Sequence, residues 1–98
     1  MGLRFEWNPV KAIQNRRKHR VSFEEPATVF GDTLSITVPA PDHSATEDRF
    51  VTVGMSARDR LLLVAHTERR RHIRIISARE LTRKERWDYE QRDYCDTG

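Results

Sequence analysis

The sequence predicts an α+β fold: an antiparallel sheet of four to five strands, covered by two N-terminal helices and one C-terminal helix. Three observations predict it. Helix-start signals stand at Asn8-Pro9, at Ser22 and at Thr82. Between the second and third lie four runs rich in apolar and β-branched residues. The last three of these runs are joined by stretches of only a few residues, which makes an antiparallel meander. Helices before and after such a meander can cover one of its faces. At 98 residues the chain is expected to form one domain with a modest core.

The elements follow in order. Leu3–Trp7 alternates and reads as an edge strand. Asn8 is suited to cap a helix and Pro9 to open it, and the helix is expected over Pro9–His19. Lys11, Asn15 and Lys18 fall on one narrow arc of that helix. Ser22 and Glu25 have capping-box spacing and open a second short helix that ends near Phe30, closed by Gly31-Asp32. Leu34–Val38 is a strand, and Pro39–Asp48 a loop. Arg49–Ser56 is a strand with Val51, Val53 and Met55 on one side and Phe50 and Thr52 on the other. Leu61–Thr67 is nearly all apolar, which argues for burial on both faces. Arg71–Ala78 is the last strand, after a turn at Glu68–Arg71. Thr82 and Glu85 form a second capping box, and a charged helix runs on to about Tyr94, with Trp87 expected in the core and a frayed tail at 95–98.

Charge is unevenly placed. The chain is +3 overall, but residues 49–79 carry eight arginines (49, 58, 60, 69, 70, 71, 74 and 79) against Asp59 and Glu68. Arginine's planar fork suits phosphate, and a concentrated basic segment is the footprint of a nucleic-acid binder. A solvated arginine-rich face would have the same composition. One cysteine, Cys95, forms no internal disulfide. No leader-like or membrane-spanning apolar stretch is present, so the cytoplasm is the simplest address.

Zinc spacings, a Gly-rich phosphate loop and a nucleophile elbow are all missing, so no metal or other cofactor is expected. What remains is a set of arginines, lysines and histidines on a small sheet. That inventory suits metal-free RNA cleavage, in which proton carriers assist attack by the 2′-hydroxyl and cations stabilise the charged phosphorane. His66, inside the apolar strand, is either a proton carrier projecting from the sheet or a half-buried structural histidine. His19 suits the C-terminal end of the first helix, with Lys18 beside it able to reach a phosphate. Arg74 and Arg79 interrupt or end an apolar strand, where they either meet a ligand or pair with Glu80, Glu85 or Glu47. Tyr89 can stack on a base or pack on the sheet.

An ordered series of residues resembles the BrnT family of toxins. It begins with Phe5-Glu6-Trp7-Asn8-Pro9-Val10-Lys11-Ala12, Asn15 and Lys18-His19-Arg20-Val21-Ser22-Phe23-Glu24-Glu25. It continues with Val29-Phe30-Gly31-Asp32, Pro41-Asp42-His43-Ser44, Glu47-Asp48-Arg49 and Val53-Gly54-Met55-Ser56. It ends with Ile73-Arg74-Ile75-Ile76-Ser77-Ala78-Arg79, Glu85-Arg86 and Tyr89-Glu90. The resemblance implies a RelE-like fold and a ribonuclease toxin that halts translation. It also implies a BrnA-type antitoxin with a ribbon-helix-helix domain, through which the complex would bind operator DNA. The matching positions assigned to RNA cleavage are Lys18, His19, Arg49, His66, Arg74, Arg79 and Tyr89, with Arg49 and Arg79 holding phosphate and His66 or Tyr89 transferring protons. Asn8 stands where the family usually has aspartate, Pro26 where it has alanine and Arg20 where it has glycine. If the last position requires positive φ, Arg20 is strained there.

Two other classes fit parts of the sequence. A non-catalytic nucleic-acid-binding module would use the same basic segment, although the stacking aromatics of an RNA-recognition sheet are missing. A protein-interaction domain for an acidic partner would use it too.

Overall fold

The computed structural model describes residues 4–40 and 49–97, without the side chains of residues 69 and 92–97. The greater part of the expected loop, 41–48, lies outside the described residues, and with it Glu47 and the 41–44 motif.

The elements are β1 (Arg4–Glu6), α1 (Pro9–His19), α2 (Glu24–Val29), β2 (Ile36–Pro39), β3 (Arg49–Met55), β4 (Leu61–Arg69), β5 (His72–Glu80) and α3 (Arg83–Thr97). The five strands form one sheet in the order β1-β5-β4-β3-β2. β2 to β5 are the expected antiparallel meander. β1 departs from the expectation, because it pairs parallel to β5, with Phe5 opposite Ile73. No hairpin dictates its direction: α1 and α2 carry the chain away before the meander begins. The parallel register sets Phe5 against the core, where its ring meets Phe30 at 5.4 Å.

The helix ends follow their local chemistry. Asn8 Oδ1 accepts from the backbone N–H of Val10 at 2.8 Å and of Lys11 at 3.3 Å. Arg20 ends α1 in the left-handed region (φ 59, ψ 32), so this position does require positive φ and a side chain bears the strain. The Ser22 box is only half made. Ser22 Oγ accepts from Glu25 N–H at 3.4 Å, but the Glu25 carboxylate turns inward to Arg60 and Ser56 instead of back to Ser22. The Thr82 box is complete, with Thr82 N–H donating to Glu85 Oε1 at 2.9 Å and Glu85 N–H to Thr82 Oγ1 at 3.2 Å.

One face of the sheet, the core face, packs Leu62, Val64, Ile73, Ile75 and Ala78 against Val21, Phe23 and Val29 from the α1–α2 segment. Gly54 on β3 lies under the end of α2. A Cβ there would stand 2.8 Å from Ser35 Cβ and 2.9 Å from Val29 Cγ1, so only glycine admits this approach. Buried Glu25 is held by Arg60, whose guanidinium also reaches Glu80 at 3.1 Å, and by the Ser56 hydroxyl at 2.7 Å. These partners keep the Glu25 carboxyl below its usual range.

α3 does not join α1 and α2 on the core face. Leu81, just before α3, and Glu85, Asp88 and Tyr89 on it line a groove against Ile36, Val38, Val53 and Leu63 on the opposite, outer face. The core face is already filled, whereas these four apolar residues need a cover. Trp87 falls off that inward stripe and is 60% exposed, not a core residue as expected.

Candidate functional site

Strand register decides which basic side chains share a face. On the outer face Arg49, Thr67, Arg74 and Glu6 form one lateral row across β3, β4, β5 and β1. Farther along β5, Ser77 stands beside Ala65 and Arg79 beside Leu63 on the same face. Arg49, Arg74 and Arg79 therefore look out from one side of the sheet, over a half-buried floor that includes Val51 and Ala65.

Two of these arginines are bound to carboxylates. Arg74 Nη1 reaches Glu6 Oε2 at 3.1 Å, with both side chains about half exposed. Arg79 grips Glu85 with both arms of its fork, at 2.7 and 2.9 Å, and also donates to the Glu80 carbonyl at 3.2 Å. The pair pushes the Glu85 carboxyl down to about 2, chiefly through the Arg79 hydrogen bond, and raises Arg79. Arg49 is exposed and has no carboxylate partner among the described residues. Tyr89 lies on the far margin of this face, where its hydroxyl donates to the Leu34 carbonyl at 2.9 Å.

His66 is elsewhere. It is on the core face, 0% exposed, between Phe30, edge-on at 4.9 Å, and Phe50, stacked at 6.0 Å. Its Nε2 is 2.7 Å from the Thr52 hydroxyl, which is 2.7 Å from that of Thr37. The Glu68 carboxylate is 3.7 Å from Nδ1, beyond hydrogen-bond reach. Burial pushes the imidazole down to about 4, so the ring is neutral at pH 7. It projects into the core and does not reach solvent.

Lys18 and His19 meet β5 from the other side of its free edge. β1 covers only the first third of β5, and α1 stands beside the rest. Between α1 and β5 lies a depression of about 240 Å³ lined by Lys11, Gln14, Asn15, Lys18, His19, Ile76 and Ser77. Buried Asn15 fixes the spacing by bonding the Val21 carbonyl and both backbone groups of Ala78. α1 has Lys11, Arg16, Arg17, Lys18 and His19 and not one acidic residue. Ser77 belongs both to this depression and to the outer face, so it joins Lys18 and His19 to the strip that carries Arg74 and Arg79.

A family model described as the ribonuclease toxin BrnT of a type II toxin–antitoxin system matches residues 7–85, most of the chain. The protein belongs to the BrnT family. The match runs from the end of β1 into the first turn of α3 and so includes α1, the meander and Glu85. Among curated proteins no match is found.

Of the seven residues singled out in this BrnT chain, the fold brings Arg49, Arg74 and Arg79 to one face, with Tyr89 at its margin. It places Lys18 and His19 at the adjoining edge and leaves His66 alone on the opposite face. Lys11, Gln14 and Ser77, which the sequence reading did not select, line the depression beside Lys18. The helical arc of Lys11, Asn15 and Lys18 was a visible signal for the first. Nothing local pointed to Ser77, because β5 and α1 meet only in the fold. Among the described residues no three His, Cys, Asp or Glu side chains gather as metal ligands, and no helix is long and apolar enough to cross a membrane.

Proposed function

We propose that this BrnT-family chain cuts RNA without a metal ion and so arrests translation in the cytoplasm. The observation that carries the reading is that Lys18 and His19 adjoin, through Ser77, the sheet face on which Arg79, Arg74 and Arg49 stand. In the reaction the 2′-oxygen bonds to the adjacent phosphorus as its proton passes to a base. The bond from phosphorus to the 5′-oxygen breaks, and an acid protonates the leaving oxygen. A 2′,3′-cyclic phosphate and a 5′-hydroxyl result.

Arg49 and Arg79 hold the phosphate, for which a paired guanidinium fork is suited, and Arg74 adds charge at the strip's end. Each donor placed where charge develops is worth about 3–4 kcal/mol. Lys18 stabilises the phosphorane from the edge. His19, half-buried beside it, carries protons. His66 is too enclosed to meet RNA in this arrangement, and its role is to hold β3, β4 and the two phenylalanines together. Tyr89 borders the strip as a stacking ring. The neutralising partner is a BrnA-type antitoxin with a ribbon-helix-helix domain, and the complex represses its own operon by binding operator DNA.

Inducible expression in bacteria, with and without the neighbouring antitoxin gene, tests the reading. Growth arrest that the neighbour abolishes is expected, together with cleavage of purified RNA that persists in excess EDTA. Normal growth with abundant soluble protein and intact RNA would sink it, in favour of a passive binding module.

A further inference from the structure

We propose that the depression between α1 and β5 is a subsite for the nucleotide next to the cleaved phosphate, in which Lys11 grips the RNA backbone and Gln14 reads a base edge; this rests on the reading of the chain as an RNA-cutting enzyme.

Electrostatics single out this edge of the molecule. Arg60, Arg74 and Arg79 all spend their charge on carboxylates. Lys11, Lys18 and His19 have no such partner among the described residues. Lysine is a point charge that holds phosphate without demanding one geometry. Lys11 and Lys18 are two helical turns apart, about 10 Å along the axis, so one strand passing along α1 meets both.

β5 is irregular beside the depression. Its pairing with β4 is interrupted between Ala65 and His66: Ala65 faces Ser77, His66 faces Ile75, and Ile76 is the extra residue. A bulge of this kind re-aims a side chain. Ile76 thereby leaves the ladder and becomes part of the depression's lining, next to Lys18 and Ser77. The result is a half-buried apolar surface on which the flat face of a base can rest, flanked by cations for its phosphate. Gln14 lies on the same stripe and offers a donor and an acceptor together, which suits two-point contact with an unpaired base. Asn15 beside it is pinned by three hydrogen bonds, so Gln14 extends from backbone that cannot drift.

The test uses single-stranded RNA oligomers with 2′-O-methyl groups, which cannot be cut, varied one base at a time and read by fluorescence anisotropy. Lys11 and Gln14 are exposed, so Lys11→Gln and Gln14→Leu are expected to keep the wild-type Tm. Lys11→Gln should weaken binding to all oligomers alike and lower the salt slope by about 0.7. Gln14→Leu should flatten the base preference at one position and leave the salt slope unchanged. If wild type cuts RNA and both variants bind as it does, the subsite is disproved while the ribonuclease reading stands. If the variants bind RNA normally but lose antitoxin affinity, the surface is a protein interface and the inference fails. A wild-type protein that neither binds nor cuts RNA would overturn both.

Discussion

The Asn15 carboxamide pairs with Ala78 as a neighbouring strand would. Its Nδ2 donates to the Ala78 carbonyl at 2.9 Å, and its Oδ1 accepts from the Ala78 N–H at 3.1 Å. β1 ends with Glu6 opposite Arg74, and Asn15 takes up the bare edge of β5 beyond it. A second Nδ2 bond, to the Val21 carbonyl at 2.9 Å, ties in the turn after α1. One side chain thus closes a sheet edge and sets the distance between α1 and β5, which is the width of the candidate subsite.

Asn15→Ala would therefore leave three backbone groups short of a partner in a buried place. Each such loss costs about 1–3 kcal/mol, and since water re-enters part of the edge the expected total is about 3 kcal/mol. For a domain of this size that lowers Tm by more than 10 °C. Asn15→Asp should be no better, because the carboxylate keeps the acceptor and loses both donors. Thermal and urea unfolding measure this. A loss below about 0.5 kcal/mol would mean that α1 is held to β5 by something else.

How far the site could be read from the sequence depends on the distance over which each feature is decided. The capping residues Asn8 and Thr82 and the four meander strands are local, and they stand where the periodicity put them. The parallel pairing of β1 is settled by Phe5 and Ile73, 68 positions apart, and no local pattern encodes it. Charge misleads for the same reason. Segment 49–79 is strongly basic as a string, yet Arg60, Arg74 and Arg79 draw their carboxylates from positions 25, 80, 6 and 85. A second group of cations without such partners among the described residues, Lys11, Lys18 and His19, stands on α1, in a half of the chain whose formal charge is slightly negative. Arg79's pairing with Glu85 was among the partners the sequence suggested; Arg74's pairing with Glu6 was not, because it needs β1 beside β5.

His66 gives the fold a pH dependence with a definite sign. Its folded value is about 4 against 6.5 for a free imidazole. Between those two values the unfolded chain binds the more protons, so stability is complete above pH 6.5 and is lost as pH falls toward 4. The loss from pH 6.5 to 4.5 is expected to be on the order of 2 kcal/mol. Glu25 and Glu85, both lowered, add their own losses only below about 4.5. His66→Phe keeps an aromatic ring between Phe30 and Phe50 and removes the titration. Urea unfolding at several pH values should therefore show a much flatter profile in that window for the variant. An unchanged profile would assign the dependence to another group.

The clamp between Arg79 and Glu85 separates a binding role from a structural one. Glu85 caps α3 through Thr82 and at the same time occupies the Arg79 fork, so phosphate must displace it to be held there. If Arg79 holds RNA, the two partners respond in opposite directions. Arg79→Ala should cut cleavage by 10²-fold or more, the scale of a lost charged donor, and relieve growth arrest while the protein remains soluble. Glu85→Gln should keep the hydrogen bonds to Thr82, weaken the hold on Arg79 and leave cleavage equal or faster. Both variants lose the same ion pair, and since each side chain is about one-third exposed the stability cost should be small and alike. Equal loss of cleavage in both would mean that the pair serves to anchor α3 and that Arg79 does not touch the phosphate.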